Sequence, residues 1–211
     1  NTIIRDRHAD MIGMVRALIC DPDFVKKSRD SRTDEIRQCV GCEEGCYGRF
    51  RRGLPITCAY NPEAGRELEL PIERTTQRKR VMVIGGGIAG LEAARVAALR
   101  GHNVSLYEEQ PELGGQLKLA ANAPRRDDFE QIPRYYSYQA KLLGIEVHAG
   151  ETVTRATVEQ CNPDVVVLAT GSRPRRLGVP GSFNQNVVDV RHVLGGTAAV
   201  GHRVLVLAGE H

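Results

Sequence analysis

The sequence predicts an α/β fold with a parallel sheet, and its clearest unit begins near Lys79. Val81–Ile84 is a short apolar run typical of a buried strand, and a G-x-G-x-x-G run from Gly85 to Gly90 follows it directly. An alanine-rich helix from Ile88 to Arg100 and a second apolar strand, Val104–Tyr107, come next. Strand, glycines, helix and strand in this order indicate a Rossmann-like, dinucleotide-binding domain.

The three spaced glycines of this run each have a physical role. Gly85 allows the tight turn, Gly87 lets the backbone approach a pyrophosphate, and Gly90 lets the helix pack closely on the strand. The N-terminus of the helix then faces the phosphates with its free N–H groups.

Glu108 ends the second predicted strand, where a carboxylate can accept hydrogen bonds from ribose hydroxyls. It would also repel a 2′-phosphate, so the expected ligand is FAD, ADP or NAD rather than NADP. Glu109 is the adjacent alternative, although side-chain alternation favours Glu108. The plain structural alternative is an exposed acid that binds nothing.

Two later segments favour FAD by resemblance. Glu112–Leu117 is similar to the second glycine pair of flavoproteins with two dinucleotide-binding domains, and Val165–Gly171 is similar to their A-T-G strand end. The resemblance implies that FAD contacts four residues of these segments: Gly115, Gln116, Thr170 and Gly171. Composition alone also allows a plain turn and a plain strand, with ADP or NAD as the ligand.

Four cysteines lie close together before this domain, spaced C-x2-C-x3-C-x11-C at Cys39, Cys42, Cys46 and Cys58. A [4Fe–4S] cluster is bound by four thiolates. Three of them can lie on one tight loop that glycines allow to curl, and the fourth can come from the chain shortly after that loop. A structural zinc site usually pairs two C-x2-C knuckles, so zinc is the second interpretation and a disulfide framework the third.

Composition excludes several other classes of protein. The 211 residues are 41% hydrophobic and 26% charged, with a formal net charge of +3. Short basic clusters without interleaved aromatic residues argue against a nucleic-acid partner. No apolar run approaches the about 18 residues of a membrane span, and no signal peptide is evident. We therefore expect a cytoplasmic protein that does not contact a membrane.

Three segments together resemble the flavin oxidoreductases related to Old Yellow Enzyme: A-D-M-I-G-M-V-R-A-L-I-C-D-P from Ala9, D-E-I-R-Q-C-V-G-C-E-E-G-C from Asp34 and C-A-Y-N-P-E-A-G-R-E from Cys58. The chain is most similar to the iron–sulfur branch with 2,4-dienoyl-CoA reductase and trimethylamine dehydrogenase. The resemblance implies that Ala9–Val15 is the eighth strand of a TIM barrel and that Arg16 contacts the phosphate of FMN. The alternative without a binding role is that Arg16 is an exposed side chain at the start of a helix.

The resemblance and the motifs together predict four regions, and the chain is expected to be a piece of a longer polypeptide. They are the end of an FMN-binding TIM barrel (1–30), an iron–sulfur region (31–74), an FAD- or ADP-binding Rossmann-like domain (75–201) and the start of a second nucleotide-binding-like domain (202–211). Val204–Leu207 is the predicted strand of this last region. Glu210 then falls at the close-approach position of the fingerprint, where a carboxylate would repel a pyrophosphate.

The expected function is a flavoprotein oxidoreductase that relays electrons between FMN, a [4Fe–4S] cluster and an adenine-nucleotide domain. Glu210 favours an amine or N-methyl dehydrogenase that passes electrons to an electron-transfer flavoprotein. The x3 cysteine spacing favours the alternative, an NAD(P)H-dependent 2,4-dienoyl-CoA (enoate) reductase. A third possibility is an electron-relay module without turnover of its own. The substrate is expected to be a small molecule, and the sequence leaves a homo-oligomer open.

Overall fold

The computed structural model describes residues 2–175 and 178–207. The chain divides into two compact units, Asn1–Arg74 and Thr75–His211. None of the helices in the described ranges is both long and apolar enough to span a membrane.

The first unit consists of short helices joined by turns and loops. Its helices are α1 (Thr2–Arg5), α2 (Arg16–Cys20), α3 (Phe24–Arg29) and α4 (Tyr47–Phe50), with a 3₁₀ turn at Thr33–Glu35. Pro22 separates α2 from α3, as expected for a residue that lacks a backbone N–H and restricts its predecessor. The small core of this unit includes Cys20, Ile36, Tyr60 and Ala64.

The strand predicted at Ala9–Val15 is wrong for this chain. These residues form no strand, and Met11 and Val15 are 86% and 73% exposed. A strand is stabilised by backbone hydrogen bonds to a neighbouring strand, and none of the described residues pairs with this stretch. Arg16 nevertheless begins a helix, as the sequence predicts.

The second unit is built on a parallel sheet of four strands. Its strands are β1 (Arg80–Ile84), β2 (Asn103–Glu108), β3 (Glu146–Ala149) and β4 (Val165–Leu168). Its helices are α5 (Ile88–Leu99), α6 (Gln116–Ala121), α7 (Gln131–Leu142), α8 (Arg155–Cys161) and α9 (Val190–Leu194), with a 3₁₀ turn at Asp127–Glu130. The strand order is β3-β2-β1-β4, with every pair parallel.

The order of the strands creates a switch point beside β1. The chain leaves β1 to form β2 and β3 on one side, and later returns to form β4 on the other. Loops that leave adjacent parallel strands in opposite directions open a crevice at the carboxyl ends of those strands, where ligands bind in such sheets. The fold therefore locates a binding crevice at the ends of β1, β2 and β4.

The core of this unit lies between the two central strands and the helix that joins them. Met82, Val83, Leu106 and Ala94 are fully buried. Helix α5 packs on β1 and β2, and α7 packs beside α5 and buries Tyr135 and Tyr136. Burial of these side chains removes apolar surface from water and stabilises the helix-on-sheet layers.

Strands β1, β2 and β4 and helix α5 agree with the prediction to within a few residues, whereas the strand at Val204–Leu207 is wrong. These four residues are irregular and exposed, with Leu205 and Val206 above 80% exposure. Their apolar pattern is suited to a sheet, but no described strand pairs with them. Glu210 lies outside the described residues.

Two glycines let α5 approach β1 closely. Gly85 has a φ of +111°, and a Cβ there would lie 2.2 Å from the carbonyl oxygen of Ala169. A Cβ at Gly90 would lie 1.9 Å from the carbonyl oxygen of Gly85. Both positions exclude any side chain, because real atoms do not approach so closely.

We expect Gly90→Ala to destabilise the protein by about 1–3 kcal/mol or more, since the new methyl group forces α5 away from the backbone of β1. Gly87→Ala is the matched control, because Gly87 has a φ of −72° and a Cβ there would meet no atom within 4 Å. Urea denaturation followed by circular dichroism measures both. Equal stability of the two variants would contradict the packing role of Gly90.

Candidate functional site

The predicted nucleotide-binding residues meet at the carboxyl edge of the sheet. The glycine loop follows β1, Glu108 ends β2, and Thr170 and Gly171 follow β4. Gly87 is the N-cap of α5, so the first N–H groups of this twelve-residue helix point into the crevice. Free N–H groups and the positive end of the helix dipole attract a phosphate group.

The side chain of Glu108 is buried and held by backbone N–H groups. Its Oε2 accepts a hydrogen bond from Gly86 at 2.6 Å, and its Oε1 accepts one from Gln110 at 2.8 Å. Each carboxylate oxygen has a second lone pair, so a ribose hydroxyl can still donate to it. Glu109, by contrast, is exposed and points away from this network.

The second glycine pair lies directly against the first glycine loop. Gly114 forms a parallel bridge with Gly87 and donates its N–H to the carbonyl of Gly86 at 2.8 Å. A Cβ at Gly115 would lie 3.1 Å from the Cα of Gly87. The segment that the sequence associates with FAD therefore forms one wall of the crevice.

Gln116 connects this wall to the segment that follows β4. Its Nε2 donates to the carbonyl oxygen of Ser172 at 3.1 Å and lies 3.4 Å from the hydroxyl of that residue. The structure thus brings Gly115, Gln116, Thr170 and Gly171 to the same edge as Glu108. Their contacts with a cofactor stay predictions.

Sequence reasoning missed Gly86, the middle residue of the glycine run. A Cβ there would lie 2.7 Å from Leu113 and 2.9 Å from Glu108, and its N–H fixes the carboxylate of Glu108. The fingerprint pattern leaves this position open, so only the tertiary contact with Glu108 reveals its role.

An apolar groove of about 490 Å³ lies at the edge of the sheet where the strands begin, opposite the crevice. It is lined by Val81, Val165, Val167 and the α5 residues near Val96. None of the predicted site residues borders it, and parallel sheets bind ligands at the opposite edge. The predicted nucleotide-binding residues therefore lie at the crevice and not at this groove.

In the first unit, all four predicted cluster ligands line one cavity. Cys39, Cys42, Cys46 and Cys58 are half-buried and surround it, together with Cys20. The thiols come from the loop before α4 and from the segment that follows it. Their role as ligands stays a prediction, but the fold brings the complete set together.

A close backbone contact brings Cys46 and Cys58 together. The N–H of Thr57 donates to the carbonyl of Gly45 at 2.7 Å. A Cβ at Gly45 would lie 2.9 Å from the Cα of Cys58, so only glycine fits. Gly41 has a positive φ of +64° and supplies the curl of the loop.

Among residues 2–175 and 178–207, no group of three or more His, Cys, Asp or Glu side chains is arranged to hold a metal ion. The choice between a [4Fe–4S] cluster and a zinc ion therefore stays a prediction from the cysteine spacing.

The sulfur of Cys58 is poised to act as a thiolate. A hydrogen bond from the Cys20 thiol lowers the pKa of Cys58 to about 6, and backbone N–H groups of Tyr60 and Asn61 favour the anion further, against the effect of burial. The same hydrogen bond, together with burial, raises the pKa of Cys20.

Arg16 lies at the rim of the same cavity and forms an ion pair with Glu43 at 2.6 Å. Both side chains are about half exposed, so the pair adds little to stability. A guanidinium has five N–H donors, and the contact with Glu43 uses one of them. The remaining donors are compatible with a phosphate, and the predicted FMN contact stays a prediction.

Asp21 is a second residue that sequence reasoning missed. It is buried, and its carboxylate accepts hydrogen bonds from the backbone N–H of Arg37 at 2.8 Å and from Lys27 at 2.7 Å. These bonds tie the end of α2 to the start of the cysteine loop. An acid before Pro22 gives no signal of this role in the sequence.

Comparison with known proteins identifies the second unit. Residues 74–202 match the family model described as pyridine nucleotide-disulphide oxidoreductase. The chain belongs to the pyridine nucleotide-disulphide oxidoreductase family. Family membership supports FAD binding and agrees with the Rossmann-like fold around the crevice.

Similarity to known proteins extends over both units. The chain is 38% identical to a metal reductase of Desulforamulus reducens and 39% identical to an N,N-dimethylglycine/sarcosine dehydrogenase of Chromohalobacter salexigens, over 98% and 97% of its length. It covers 32% and 31% of these relatives. A solved 2-naphthoyl-CoA reductase complex superposes with a TM-score of 0.90 and 33% identity, over 95% of this chain and 31% of that one.

These relatives confirm the resemblance to the iron–sulfur flavoprotein oxidoreductases related to Old Yellow Enzyme. The chain spans about a third of the length of the curated relatives it matches. The named relatives include two reductases and one dehydrogenase.

We expect Glu108→Ala to weaken the affinity for ADP by roughly 1–3 kcal/mol, because a charged acceptor for the ribose hydroxyls is lost. Isothermal titration calorimetry on protein freed of nucleotide measures the change. Glu109→Ala is the matched control and should bind as the wild type does. Equal losses in the two variants, or none in Glu108→Ala, would contradict the role of Glu108.

We expect Gly45→Ala to reduce the iron content, since the new methyl group displaces the backbone that carries Cys58. Gly13→Ala is the control, because a Cβ at Gly13 meets no atom within 4 Å. Iron and acid-labile sulfide, assayed after anaerobic purification, decide the outcome. Full iron occupancy in Gly45→Ala would contradict the role of Gly45 in positioning Cys58.

Proposed function

We propose that the chain is the electron-relay part of a longer flavin-dependent oxidoreductase. The observation that carries this proposal is the gathering of Cys39, Cys42, Cys46 and Cys58 around one cavity, in a chain that also has a dinucleotide crevice. Flavins accept or donate two electrons, and an iron–sulfur cluster passes them one at a time. A protein with both kinds of site is suited to convert one mode into the other.

In this proposal the four cysteine thiolates hold a [4Fe–4S] cluster. Cys58 is already favoured as a thiolate by its hydrogen bonds, and the Gly45 contact keeps it beside Cys46. When bound, the cluster supplies one-electron transfer. The residues of this chain supply the thiolates, the shielding of the cavity and the hydrogen bonds to sulfur.

The crevice of the second unit holds FAD, with ADP as the alternative ligand. The N–H groups at the start of α5 bind the pyrophosphate, and Glu108 accepts from the ribose hydroxyls. Gly85 and Gly90 keep the helix in place, while Gly87 leaves open space for the phosphates. The walls of the crevice are the segments Gly115–Gln116 and Thr170–Gly171.

FMN completes the proposed relay in a TIM barrel outside the described residues, with its phosphate on Arg16. The helix start and the spare N–H donors of Arg16 support this assignment. A phosphate would compete with Glu43 for the guanidinium. The phosphate site of a TIM barrel lies at the loops that follow its last two strands, which is where the resemblance assigns Arg16.

The reaction we propose is oxidation of an amine or N-methyl substrate, with electrons passed to an electron-transfer flavoprotein. Similarity to an N,N-dimethylglycine/sarcosine dehydrogenase supports this choice.

The second candidate is an NAD(P)H-dependent 2,4-dienoyl-CoA (enoate) reductase, in which electrons run in the opposite direction. The x3 spacing between Cys42 and Cys46 and the likeness to a 2-naphthoyl-CoA reductase favour it. A relay module without turnover of its own is the remaining alternative for the chain taken alone.

The purified protein is expected to be brown and to contain about four irons and four sulfides for each copy of the chain. Anaerobic purification followed by iron and sulfide analysis is the measurement. Cys161→Ala, which changes an exposed thiol of the other unit, should leave both values unchanged. One tightly bound zinc without sulfide would overturn the cluster assignment.

The direction of electron flow is tested with the full-length protein under anaerobic conditions. We expect sarcosine or N,N-dimethylglycine to bleach the flavin absorbance and NADH or NADPH to leave it unchanged. Dithionite serves as the positive control, because it reduces any accessible flavin. Prompt bleaching by NADH or NADPH would establish the reductase alternative instead.

A further inference from the structure

A short segment after β4 forms one wall of the nucleotide crevice and leaves the sheet. Among the described residues, the last backbone hydrogen bond that ties this segment to the sheet is donated by Ala169 to the carbonyl of Ile84 at 2.8 Å. Gly171 then has a φ of +78°, which turns the chain away from β4. Thr170, Gly171 and Ser172 therefore need contacts other than strand pairing to keep a fixed position.

Two side chains from different helices hold this segment at one atom, the carbonyl oxygen of Ser172. The Nε2 of Gln116, at the start of α6, donates to this oxygen at 3.1 Å, and the Nη1 of Arg191, in α9, donates to it at 3.3 Å. A carbonyl oxygen has two lone pairs, so it accepts both bonds. The sequence motifs include Gln116 but give no sign of Arg191, which lies 19 residues after Ser172.

Helix α9 is itself fixed at both ends, so Arg191 approaches Ser172 from a defined direction. The side chain of Asp189 caps the helix by accepting the N–H of Arg191 at 2.8 Å. At the other end, the Nδ2 of Asn122 donates to the carbonyl of Leu194 at 3.0 Å and ties α9 to the end of α6. Helix α9 is thus anchored on the helix that begins at the other wall of the crevice.

We propose that Arg191 is a positioning residue of the nucleotide crevice. Together with Gln116 it holds the carbonyl of Ser172, so that Thr170 and Gly171 are in place when the nucleotide binds. A wall that is fixed before binding loses less conformational freedom when the ligand arrives, so more affinity is retained. This inference rests on the proposed function, because it requires a nucleotide in the crevice, and it gives Arg191 no contact with the ligand.

The test is isothermal titration calorimetry on the full-length protein freed of nucleotide, with whichever of FAD and ADP the wild type binds more tightly as the probe. We expect Arg191→Met to weaken the affinity about three- to tenfold, because one solvent-accessible hydrogen bond to the wall is lost. Arg191→Lys keeps a positively charged N–H donor and should bind nearly as well as the wild type. The melting temperature of both unliganded variants should stay close to that of the wild type, since the lost bond is exposed.

A matched control separates this bond from a general loss of positive charge. Arg155→Met also removes an arginine from the second unit, at a side chain that is 92% exposed and pairs with Glu159, and it should leave the affinity unchanged. Arg191→Ala replaces Arg191→Met if the latter variant does not fold, because alanine favours the helical conformation of α9. Circular dichroism of each unliganded variant accompanies the titrations.

A double-mutant cycle tests whether Arg191 acts through Ser172 or touches the ligand itself. Gln116→Leu removes the other donor to the same carbonyl oxygen. Two donors that fix one atom are coupled, so the loss of affinity in the double variant should differ from the product of the two single losses. An arginine that binds a phosphate group directly acts independently of Gln116, and the two losses would then multiply.

The outcomes distinguish the inference from the proposed function. If the wild type binds the nucleotide, unchanged affinity in Arg191→Met or Arg191→Ala would overturn the inference alone. Losses that multiply in the cycle, or equal losses in Arg191→Lys and Arg191→Met, would also overturn it. A wild-type protein that binds neither FAD nor ADP would overturn the proposed nucleotide site, and the inference with it.

Discussion

The close approach of α5 to the end of β1 determines the geometry of the nucleotide-binding unit. The carbonyl oxygen of Gly85 occupies the space that a side chain at Gly90 would need. This contact directs the first turn of α5 at the crevice, and it keeps Gly85 against the backbone of Ala169 after β4. The loops that follow three parallel strands lie at one edge of the sheet. They can approach one another closely there because Gly85 and Gly90 have no side chains.

In the first unit, a glycine likewise allows two backbone segments to approach closely, and here the contact brings cysteines together. Gly45 lies against the backbone at Cys58, and the hydrogen bond between Thr57 and Gly45 keeps the two segments together. The unit has little regular structure, so its apolar core is small and polar contacts such as those of Asp21 hold the loops. Thiols that are distant in sequence thus meet without a sheet to organise them.

The sequence predicted the elements whose ends are determined by a local pattern of residues. It failed for segments whose structure depends on pairing with a distant part of the chain. Strands β1, β2 and β4 and helix α5 were predictable, because glycine positions and apolar runs define their ends. Ala9–Val15 and Val204–Leu207 have equally apolar patterns, yet neither is a strand, since a strand also needs a neighbour. Gly41 has the positive φ that a curled loop needs, and a local rule predicts glycine there. Gly45, in contrast, is needed for a backbone contact that no local rule describes.

Within the candidate sites, too, local motifs were predictable from the sequence and contacts between distant segments were not. Spacing indicated the four cysteines and Glu108, because those residues follow motifs with fixed geometry. The contributions of Cys20, Asp21 and Gly86 depend on which segments the fold brings together, and a single sequence has no signal for that. Gly86 contacts Glu108, which the motif had identified, and Cys20 lines the cavity of the four cysteines, whereas Asp21 contacts the backbone that leads to them.

The two backbone hydrogen bonds of Glu108 have a consequence for how tightly a nucleotide is held. A free glutamate gives up as much as about 1.5–2 kcal/mol of rotamer entropy when it is fixed in one conformation. Here Gly86 and Gln110 fix the side chain as the domain folds, so that loss does not recur when the ligand arrives. The ribose meets an acceptor that is already oriented, and more of the interaction energy is retained as affinity.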